Sequence, residues 1–246
     1  MNHNDIVRQS FKKQAEKFVA YHMSKVEYTD YLIQKIAATG EEHALEVAAG
    51  TCICGRALAP YVKDITCLDI TEEMLAQGIR LAEESHIENI YFQSGNAEKL
   101  PYEPETFDLV ITRLSFHHFD NPEKPFEEMK RVLKKGGKMV VWDMEAAEEP
   151  LREIDDKIEN MRDPSHTRIL SREEFEEMFK KDFALQCEET TLVPVNLKSW
   201  MELTDTSEDV QEEITNLMKA ELEGGTKTGF SPYNKDTQNM FDHRWL

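Results

Sequence analysis

The sequence lacks any run of about 18 consecutive apolar residues, so no membrane-spanning helix is predicted. Its first 21 residues are polar and charged and lack the apolar core of a secretion signal. Basic residues are also few, because 29 Lys and Arg stand against 48 Asp and Glu, for a net charge of −19. This excess argues against a nucleic-acid backbone or an anionic membrane surface as a partner. We therefore expect a cytoplasmic protein without a nucleic-acid partner or a membrane span.

Cysteine is scarce as well, and four cysteines in 246 residues do not form the disulfide framework of a small secreted protein. Cys52 and Cys54 are separated by one residue, whereas zinc-binding pairs have about two to four between them. No second pair follows, so these cysteines are expected to pack in the core and no metal site is predicted. Hydrophobic residues make up 40% of the chain, which excludes general disorder, and the length fits a single large domain.

The first 40 residues show helical periodicity. Val7, Phe11, Ala15 and Phe18 share one helical face, which predicts a first helix. A second helix is predicted over residues 25–38, ending before Gly40.

From residue 43 onward, short apolar strands alternate with helical segments. This alternation predicts a doubly wound parallel sheet with right-handed crossovers. The predicted strands are residues 44–48, 65–69, 89–92, 107–112 and 139–142. After Asp143 the pattern predicts two further helices around residues 151–161 and 207–222, a strand-like segment at 183–195 and a terminal strand at 240–246. Ser171 to Glu174 has the sequence of a capping box at the start of another helix.

The residues that end each predicted strand point to a ligand site, because parallel sheets bind ligands at the carboxyl ends of their strands. The first strand runs into small residues around Gly50, which permit a ligand to approach the backbone. Asp69 ends the second strand, 19 residues after Gly50, where a carboxylate can accept hydrogen bonds from both hydroxyls of a ribose. Asn96 follows the third strand, where its side chain can pair with an adenine edge.

Five stretches in this order and spacing resemble the class I S-adenosylmethionine-dependent methyltransferases. They are most similar to the ubiquinone/menaquinone-biosynthesis-type group of small-molecule methyltransferases. The stretches are LEVAAGT (45–51), CLDITEEML (67–75), GNAEKLPYEPETFDLV (95–110), RLSFHHFDNP (113–122) and RVLKKGGKMVVWD (131–143). Each is weak alone, and together they cover about 100 residues of the chain.

The resemblance implies a Rossmann-like methyltransferase fold, with a mostly parallel seven-stranded sheet, N-terminal helices and a C-terminal helical cap. It implies one domain over residues 1–246, in which 1–40 form a helical lid, 41–143 the cofactor-binding core, and 144–246 the substrate cap and final strands. It also implies methyl transfer from S-adenosylmethionine to a small-molecule acceptor, with S-adenosylhomocysteine as product. The cofactor-binding residues that it implies are Glu46, Ala48, Gly50, Thr51, Asp69, Ile70, Asn96, Ala97 and Arg113.

The chain departs from the resembled family at three positions. The family's loop usually reads G-x-G-x-G, and here Ala48 and Cys52 replace the outer glycines. The bulk of Cys52 is expected to narrow the approach to the cofactor. Asn96 replaces the usual aspartate, but its carbonyl can still accept a hydrogen bond from an adenine amino group.

Catalytic and acceptor-binding residues are less clearly marked. His117 and His118 are the candidate bases, because an ordinary imidazole pKa suits proton transfer, although both also fit an ordinary loop. Arg162, His166 and Arg168 concentrate positive charge in an acidic chain and are the candidate ligands of an anionic acceptor group, with a solvated loop as the alternative. Whether the methyl group is transferred to oxygen, nitrogen or carbon is left open. A homodimer is also left open.

Two other functions compete with methyl transfer. An NAD(P)-dependent oxidoreductase would also use a Rossmann sheet and a ribose-binding acid, but the first strand is not followed by G-x-G-x-x-G. A non-catalytic protein that only binds S-adenosylmethionine is left open by the departures at Cys52 and Asn96. A nucleic-acid methyltransferase is disfavoured, since Thr112 to Ser115 do not form the Asn/Asp-Pro-Pro-aromatic run suited to base amines.

Overall fold

A computed structural model describes residues 2–21 and 26–246 of the chain. Both predicted N-terminal helices are present, α1 at His3–Ala20 and α2 at Val26–Ile36, and Lys25 of the second prediction lies outside the described residues. The chain forms two compact units. We call Phe11–Ser115 together with Asn121–Trp142 the sheet unit, and residues 2–10, 116–120 and 143–246 the tail unit.

The sheet unit contains a five-stranded parallel sheet in the order β3-β2-β1-β4-β5. Its strands are β1 (His43–Val47), β2 (Asp64–Asp69), β3 (Ile90–Ser94), β4 (Phe107–Arg113) and β5 (Leu133–Trp142). The helices between them are α3 (Ile53–Leu58), α4 (Glu72–Glu84) and α5 (Glu123–Val132). The central strands β1 and β4 are almost entirely buried, as expected for a sheet covered on both faces. All five predicted strands and the doubly wound order are confirmed, and the order reverses at β1 and β4.

The tail unit combines helices with a three-stranded antiparallel sheet in the order β6-β8-β7. Its strands are β6 (Thr191–Asn196), β7 (Tyr233–Lys235) and β8 (Gln238–Trp245). Its helices are α6 (Arg152–Arg162), α7 (Arg172–Phe179), α8 (Leu197–Leu203) and α9 (Glu208–Leu222). The end of β8 also pairs with the segment after β5, where Asp143 and Leu246 exchange two backbone hydrogen bonds.

Three details differ from the sequence-based expectation. In the described residues, the strands form a parallel sheet of five and a separate antiparallel sheet of three, in place of one seven-stranded sheet. The segment predicted as strand from residue 183 becomes a strand only at Thr191. Helix α8 and strand β7 were not predicted. Among the helices of the described residues, none is long and apolar enough to cross a bilayer.

Candidate functional site

The loop after β1 alternates between ordinary and left-handed backbone. Ala48, Gly50 and Cys52 have φ angles of 52°, 54° and 56°. These are the three positions at which the resembled pattern has glycine. Only Gly50 tolerates this conformation without cost, whereas a residue with a Cβ pays about 1–2 kcal/mol there. The backbone path of a glycine-rich loop is therefore kept although two of its glycines are absent.

Asp69 at the end of β2 ties this loop to the next strand. Its Oδ2 accepts a 2.7 Å hydrogen bond from the Gly50 amide, and its Oδ1 accepts one of 2.7 Å from the Thr71 amide. A carboxylate has about four lone-pair positions, so both oxygens keep capacity for further donors. Burial raises the pKa of Asp69, and the two backbone amides oppose that rise. Asp69 as a whole residue is 8% exposed, so it is buried at the end of β2.

Glu46 supports the same loop from below. Its Oε2 accepts a 2.7 Å hydrogen bond from the Gly55 amide and a 3.4 Å contact from the Cys67 thiol. Gly55 fits here because a Cβ would lie 2.3 Å from Cys67 Sγ. Burial raises the pKa of Glu46 to about 7, against the opposing hydrogen bonds. Glu46 is thus a buried carboxyl group that fixes the first turn of α3.

The Cys52 side chain is directed into the protein core. It is fully buried, and a Cβ on Gly78 of α4 would lie 2.7 Å from its Sγ. The absence of a side chain at Gly78 makes the space that Cys52 fills. The Cys52 thiol therefore packs against α4, and its effect on the cofactor approach stays a prediction.

The remaining predicted cofactor residues lie at or near the same strand ends. Asn96 Oδ1 accepts a 2.8 Å hydrogen bond from the Glu98 amide, which shapes the turn after β3. The Arg113 guanidinium lies 5.5 Å from the Trp142 ring centroid, at the ends of β4 and β5. Thr51 and Ala97 are buried and Ile70 is partly exposed. Their contact with a cofactor stays a prediction.

The tail unit holds the two candidate histidines in a short 3-10 turn, Phe116–His118. His117 Nδ1 lies 2.5 Å from Asp143 Oδ1. His118 Nδ1 instead lies 3.1 Å from both the carbonyl and the hydroxyl oxygen of Ser165. The two adjacent rings therefore have different partners.

Asp143 was missed as a site residue in the sequence. The sequence feature that could have identified it is its position, because Asp143 directly follows β5 in the same way that Asp69 ends β2. Its Oδ2 accepts a 2.7 Å hydrogen bond from the Phe116 amide, and its Oδ1 one of 2.8 Å from the Met144 amide. The carboxylate is 1% exposed and is fixed in place by these bonds.

Each of the three candidate acceptor ligands has a carboxylate partner within the tail unit. Arg162 donates to Glu159 Oε2 at 3.1 Å and is buried against the Trp200 ring. His166 Nε2 lies 3.0 Å from Asp156 Oδ1. Arg168 is half exposed and pairs with Glu174 at 2.5 Å. The positive charges of Arg162 and Arg168 are already compensated, and the role of all three residues in acceptor binding stays a prediction.

The strand ends of the sheet unit fit an adenosine-type cofactor. Gly50 carries no side chain, a Cβ there would meet Met74 Cε at 3.2 Å, and its amide donates to the Asp69 carboxylate. A ribose diol offers two donors to such a carboxylate. Within residues 2–21 and 26–246, no group of three or more His, Cys, Asp and Glu side chains is arranged to hold a metal ion.

Comparison with known proteins decides between the two competing enzyme classes. The profile of a family described as "Methyltransferase domain" matches residues 45–141. The uncharacterized methyltransferase YcgJ of Bacillus subtilis is 33% identical over 185 residues, which are 74% of this chain and 73% of that protein. The chain belongs to the S-adenosylmethionine-dependent methyltransferases. The family assignment makes S-adenosylmethionine the cofactor and methyl transfer the activity, in place of hydride transfer with NAD(P).

Solved structures agree with this assignment. The crystal structure of YcgJ from Bacillus subtilis has a TM-score of 0.80 at 30% identity, covering 92% of this chain and 96% of that one. The BH2331 protein from Bacillus halodurans has a TM-score of 0.79 at 26% identity, covering 89% and 95%. Among sequence relatives, a ubiquinone/menaquinone biosynthesis C-methyltransferase, UbiE of Hydrogenovibrio crunogenus, is 36% identical over 111 residues, which are 44% of each chain. The methyltransferase fold is confirmed.

Proposed function

We propose that this methyltransferase acts on a small organic acceptor in the cytoplasm. The observation that carries the cofactor side of the proposal is the Gly50–Asp69 pair at the end of β2. S-adenosylmethionine, when bound, supplies an electrophilic methyl group, so the protein has to align donor and acceptor and exclude water.

Each cofactor-binding residue has a defined task in this proposal. Asp69 holds the ribose hydroxyls, while the Gly50 backbone lies under the methionine part and Glu46 fixes the loop. Asn96 and Ala97 meet the adenine edge, and Ile70 packs on its face. Ala48 and Thr51 complete the loop, and Arg113 begins the segment beside the sulfonium.

The acceptor class is supported by charge and by relatives. A net charge of −19 disfavours a polyanionic acceptor such as a nucleic acid. A ubiquinone/menaquinone biosynthesis C-methyltransferase is among the relatives, which supports a small-molecule acceptor, although the match spans under half of that protein. We place the acceptor-specific contacts in residues 144–246 and a lid in residues 1–40. Arg162, His166 and Arg168 stay candidate contacts of the acceptor.

A homodimer is part of the proposal as well, and sedimentation of the purified protein measures self-association.

Calorimetry with S-adenosylhomocysteine tests the cofactor side without knowledge of the acceptor. We expect S-adenosylhomocysteine to bind and NAD to give no heat under the same conditions. NAD binding with no response to S-adenosylhomocysteine would overturn the proposal. Incubation with methyl-labelled S-adenosylmethionine and small-molecule extracts separates an enzyme from a non-catalytic binding protein, which would transfer no label.

A further inference from the structure

Strand β3 lies at an edge of the parallel sheet and, among the described strands, pairs with β2 alone. The Asn89 carbonyl accepts a 3.0 Å hydrogen bond from β2, and the Gly95 amide donates one of 2.9 Å to it. Because a parallel ladder uses every second residue, the odd-numbered residues of β3 direct their backbone groups towards β2. The even-numbered residues direct theirs away from the sheet, and these are Ile90, Phe92 and Ser94.

Strand β3 also lacks the features that protect the other sheet edges of the described chain. Edge strands are usually blocked by lysine, by proline or by being very short. At the opposite edge of the parallel sheet, β5 carries Lys134, Lys135 and Lys138. In the antiparallel sheet, the edge strand β6 contains Pro194, and the edge strand β7 has three residues. Residues 89–97, by contrast, contain no proline and no charge, in a chain in which 31% of residues are charged.

Tyr91 adds an exposed aromatic ring to this open edge. A Cβ on Gly55 of α3 would lie 3.6 Å from Ile90 Cδ1, so the Ile90 side chain faces α3. Side chains alternate along a strand, which places Tyr91 on the opposite face of the sheet. Tyr91 is 58% exposed and lies between the outward backbone groups of Ile90 and Phe92. An aromatic surface and hydrogen-bonding groups without a strand partner therefore lie side by side.

We propose that β3 is the interface of a homodimer, in which the β3 strands of two copies pair antiparallel about a two-fold axis at Tyr91. Ile90 of each copy then lies opposite Phe92 of the other, and each such pair exchanges both of its N–H···O bonds. The two Tyr91 residues form the non-hydrogen-bonded pair at the axis, with Cα atoms about 4.5 Å apart. Aromatic pairs at such positions stabilise sheets. The inference rests on the homodimer of the proposed function and is independent of the methyl acceptor.

The Gln93 side chain favours this register over the nearest alternative. Its Nε2 donates a 2.8 Å hydrogen bond to the Ser94 carbonyl, which therefore already has a donor. A pairing centred on Phe92 would need the backbone groups of Ser94, whereas a pairing centred on Tyr91 uses those of Ile90 and Phe92. Only the second register places the two exposed Tyr91 rings directly opposite each other.

A second copy of the chain is the occupant that the charges favour. Two chains of net charge −19 repel each other, so they can associate only where the meeting surface is neutral, as it is along β3. A basic partner would be attracted to the acidic surfaces instead. At the ends of the pairing, Glu88 of one copy lies opposite Ser94 of the other, whose Oγ is 3.4 Å from Glu72 Oε1. These carboxylates repel across the interface, so added salt should strengthen the dimer.

The dimer should be reversible, because two strands of this length bury less surface than the about 1,200–2,000 Å² of a standard interface. Sedimentation velocity over a concentration series measures its dissociation constant in wild type, Tyr91→Lys and Leu192→Lys. Leu192 is the matched control, since it is 57% exposed on the edge strand β6 and its replacement makes the same change of charge.

Tyr91→Lys should raise the dissociation constant about tenfold or more, because it places two like charges opposite each other across the axis. Leu192→Lys should leave it within about twofold of wild type, although the added positive charge is equal. Both variants should bind S-adenosylhomocysteine with the affinity of wild type, which shows that they are folded. Equal dissociation constants in the two variants would overturn the interface.

Disulfide cross-linking tests the register. In a Cys187→Ser background, which removes the exposed cysteine, we expect Tyr91→Cys to form an intermolecular disulfide with oxidised glutathione. A Cα separation of about 4.5 Å lies within the range of disulfides. Gln93→Cys is the control, because residue 93 lies opposite Asn89 of the second copy and far from its own counterpart. Cross-linking at residue 93 as strong as at residue 91, or none at residue 91 in a dimer, overturns the register.

The outcomes separate this interface from the proposed function. A dimer that Tyr91→Lys does not weaken overturns the β3 interface and leaves the homodimer standing. A wild type that is monomeric at all concentrations overturns both, and assigns the β3 edge to another occupant or to none. Neither result bears on cofactor binding or methyl transfer, which calorimetry and label transfer test separately.

Discussion

At the scale of single residues, Ala48 is the clearest test of how this loop departs from its glycine pattern. Its φ of 52° is left-handed, whereas the adjacent Ala49 is not among the residues with positive φ. Ala48→Gly should raise the free energy of unfolding by about 0.5–1 kcal/mol, because relief of the strained backbone exceeds the added chain entropy of glycine. Urea unfolding measures the change.

Ala49→Gly is the matched control one residue away. Ala49 is 6% exposed and has ordinary backbone, so glycine there should lower the free energy of unfolding by about 1 kcal/mol. Opposite signs at adjacent alanines are the result that supports left-handed strain. If both variants lose stability equally, the loop backbone differs from the one described.

Asp69 has a role in both cofactor affinity and loop structure. Asp69→Asn keeps the side-chain volume but replaces one acceptor oxygen by an amide that cannot accept from Gly50 or Thr71. We expect the affinity for S-adenosylhomocysteine to fall about tenfold or more, since a charge-assisted hydrogen bond contributes about 1.5–3 kcal/mol. Calorimetry gives the affinity, and thermal unfolding gives the accompanying loss of stability.

Asp64 at the other end of β2 offers the control for this prediction. It pairs with His43 at 2.9 Å and lies at the amino edge of the sheet. Asp64→Asn should leave the affinity for S-adenosylhomocysteine unchanged within about twofold. An equal loss in both variants would show that Asp69 acts on the fold and that the ribose lies elsewhere.

The sequence was sufficient to bring Gly50 and Asp69 together, because both end neighbouring parallel strands and strand ends meet at one edge. It was not sufficient to pair His117 with Asp143, since that contact joins residues 26 positions apart through a turn whose path no periodicity records. The partners of Arg162 and His166 were also hidden, although Glu159 lies on the same helix as Arg162 and Asp156 lies ten residues before His166. Charge alone indicated a cationic loop, and the fold compensates that charge locally.

At the scale of secondary structure, the start of α7 shows how a local motif determines an element. Ser171 Oγ accepts from the Glu174 amide, and the Glu174 carboxylate accepts from the Ser171 amide, which forms the predicted capping box. Ser171→Ala should lower the free energy of unfolding by about 1 kcal/mol. Ser207 precedes α9 without a side-chain cap bond, so Ser207→Ala should cost clearly less. Equal losses in urea unfolding would contradict the capping role.

Long elements with a strong period were predicted, and short ones were not. In helix α9, apolar residues recur every three to four positions over 15 residues, and the strands of the parallel sheet are continuous apolar runs. Helix α8 has seven residues and strand β7 has three, which is too short for a period to be recognised. Residues 183–190 alternate like a strand but find no neighbour to pair with in the described structure.

At the scale of the whole molecule, the buried carboxyl group of Glu46 makes a contribution to stability that depends on pH. Glu46 has a pKa of about 7 in the folded chain against an ordinary value of 4.5. Between these values the folded state holds a proton that the unfolded state has lost. The contribution of Glu46 to stability is therefore present at low pH and is lost as pH rises through this window, with a slope of up to about 1.4 kcal/mol per pH unit.

Glu46→Gln removes this titration and keeps an acceptor for the Gly55 amide. The free energy of unfolding of wild type minus that of Glu46→Gln should fall steadily between about pH 5 and pH 7. Comparing the two chains cancels His117, which also loses stabilisation as pH rises, and His118 and His243, whose lowered pKa values act in the opposite direction. Surface carboxylates such as Asp108, with pKa values lowered by a lysine, lose their contribution only in stronger acid and cancel as well. Urea unfolding at several pH values measures the difference, and two parallel pH profiles would show that Glu46 is ionised in the folded protein across the range.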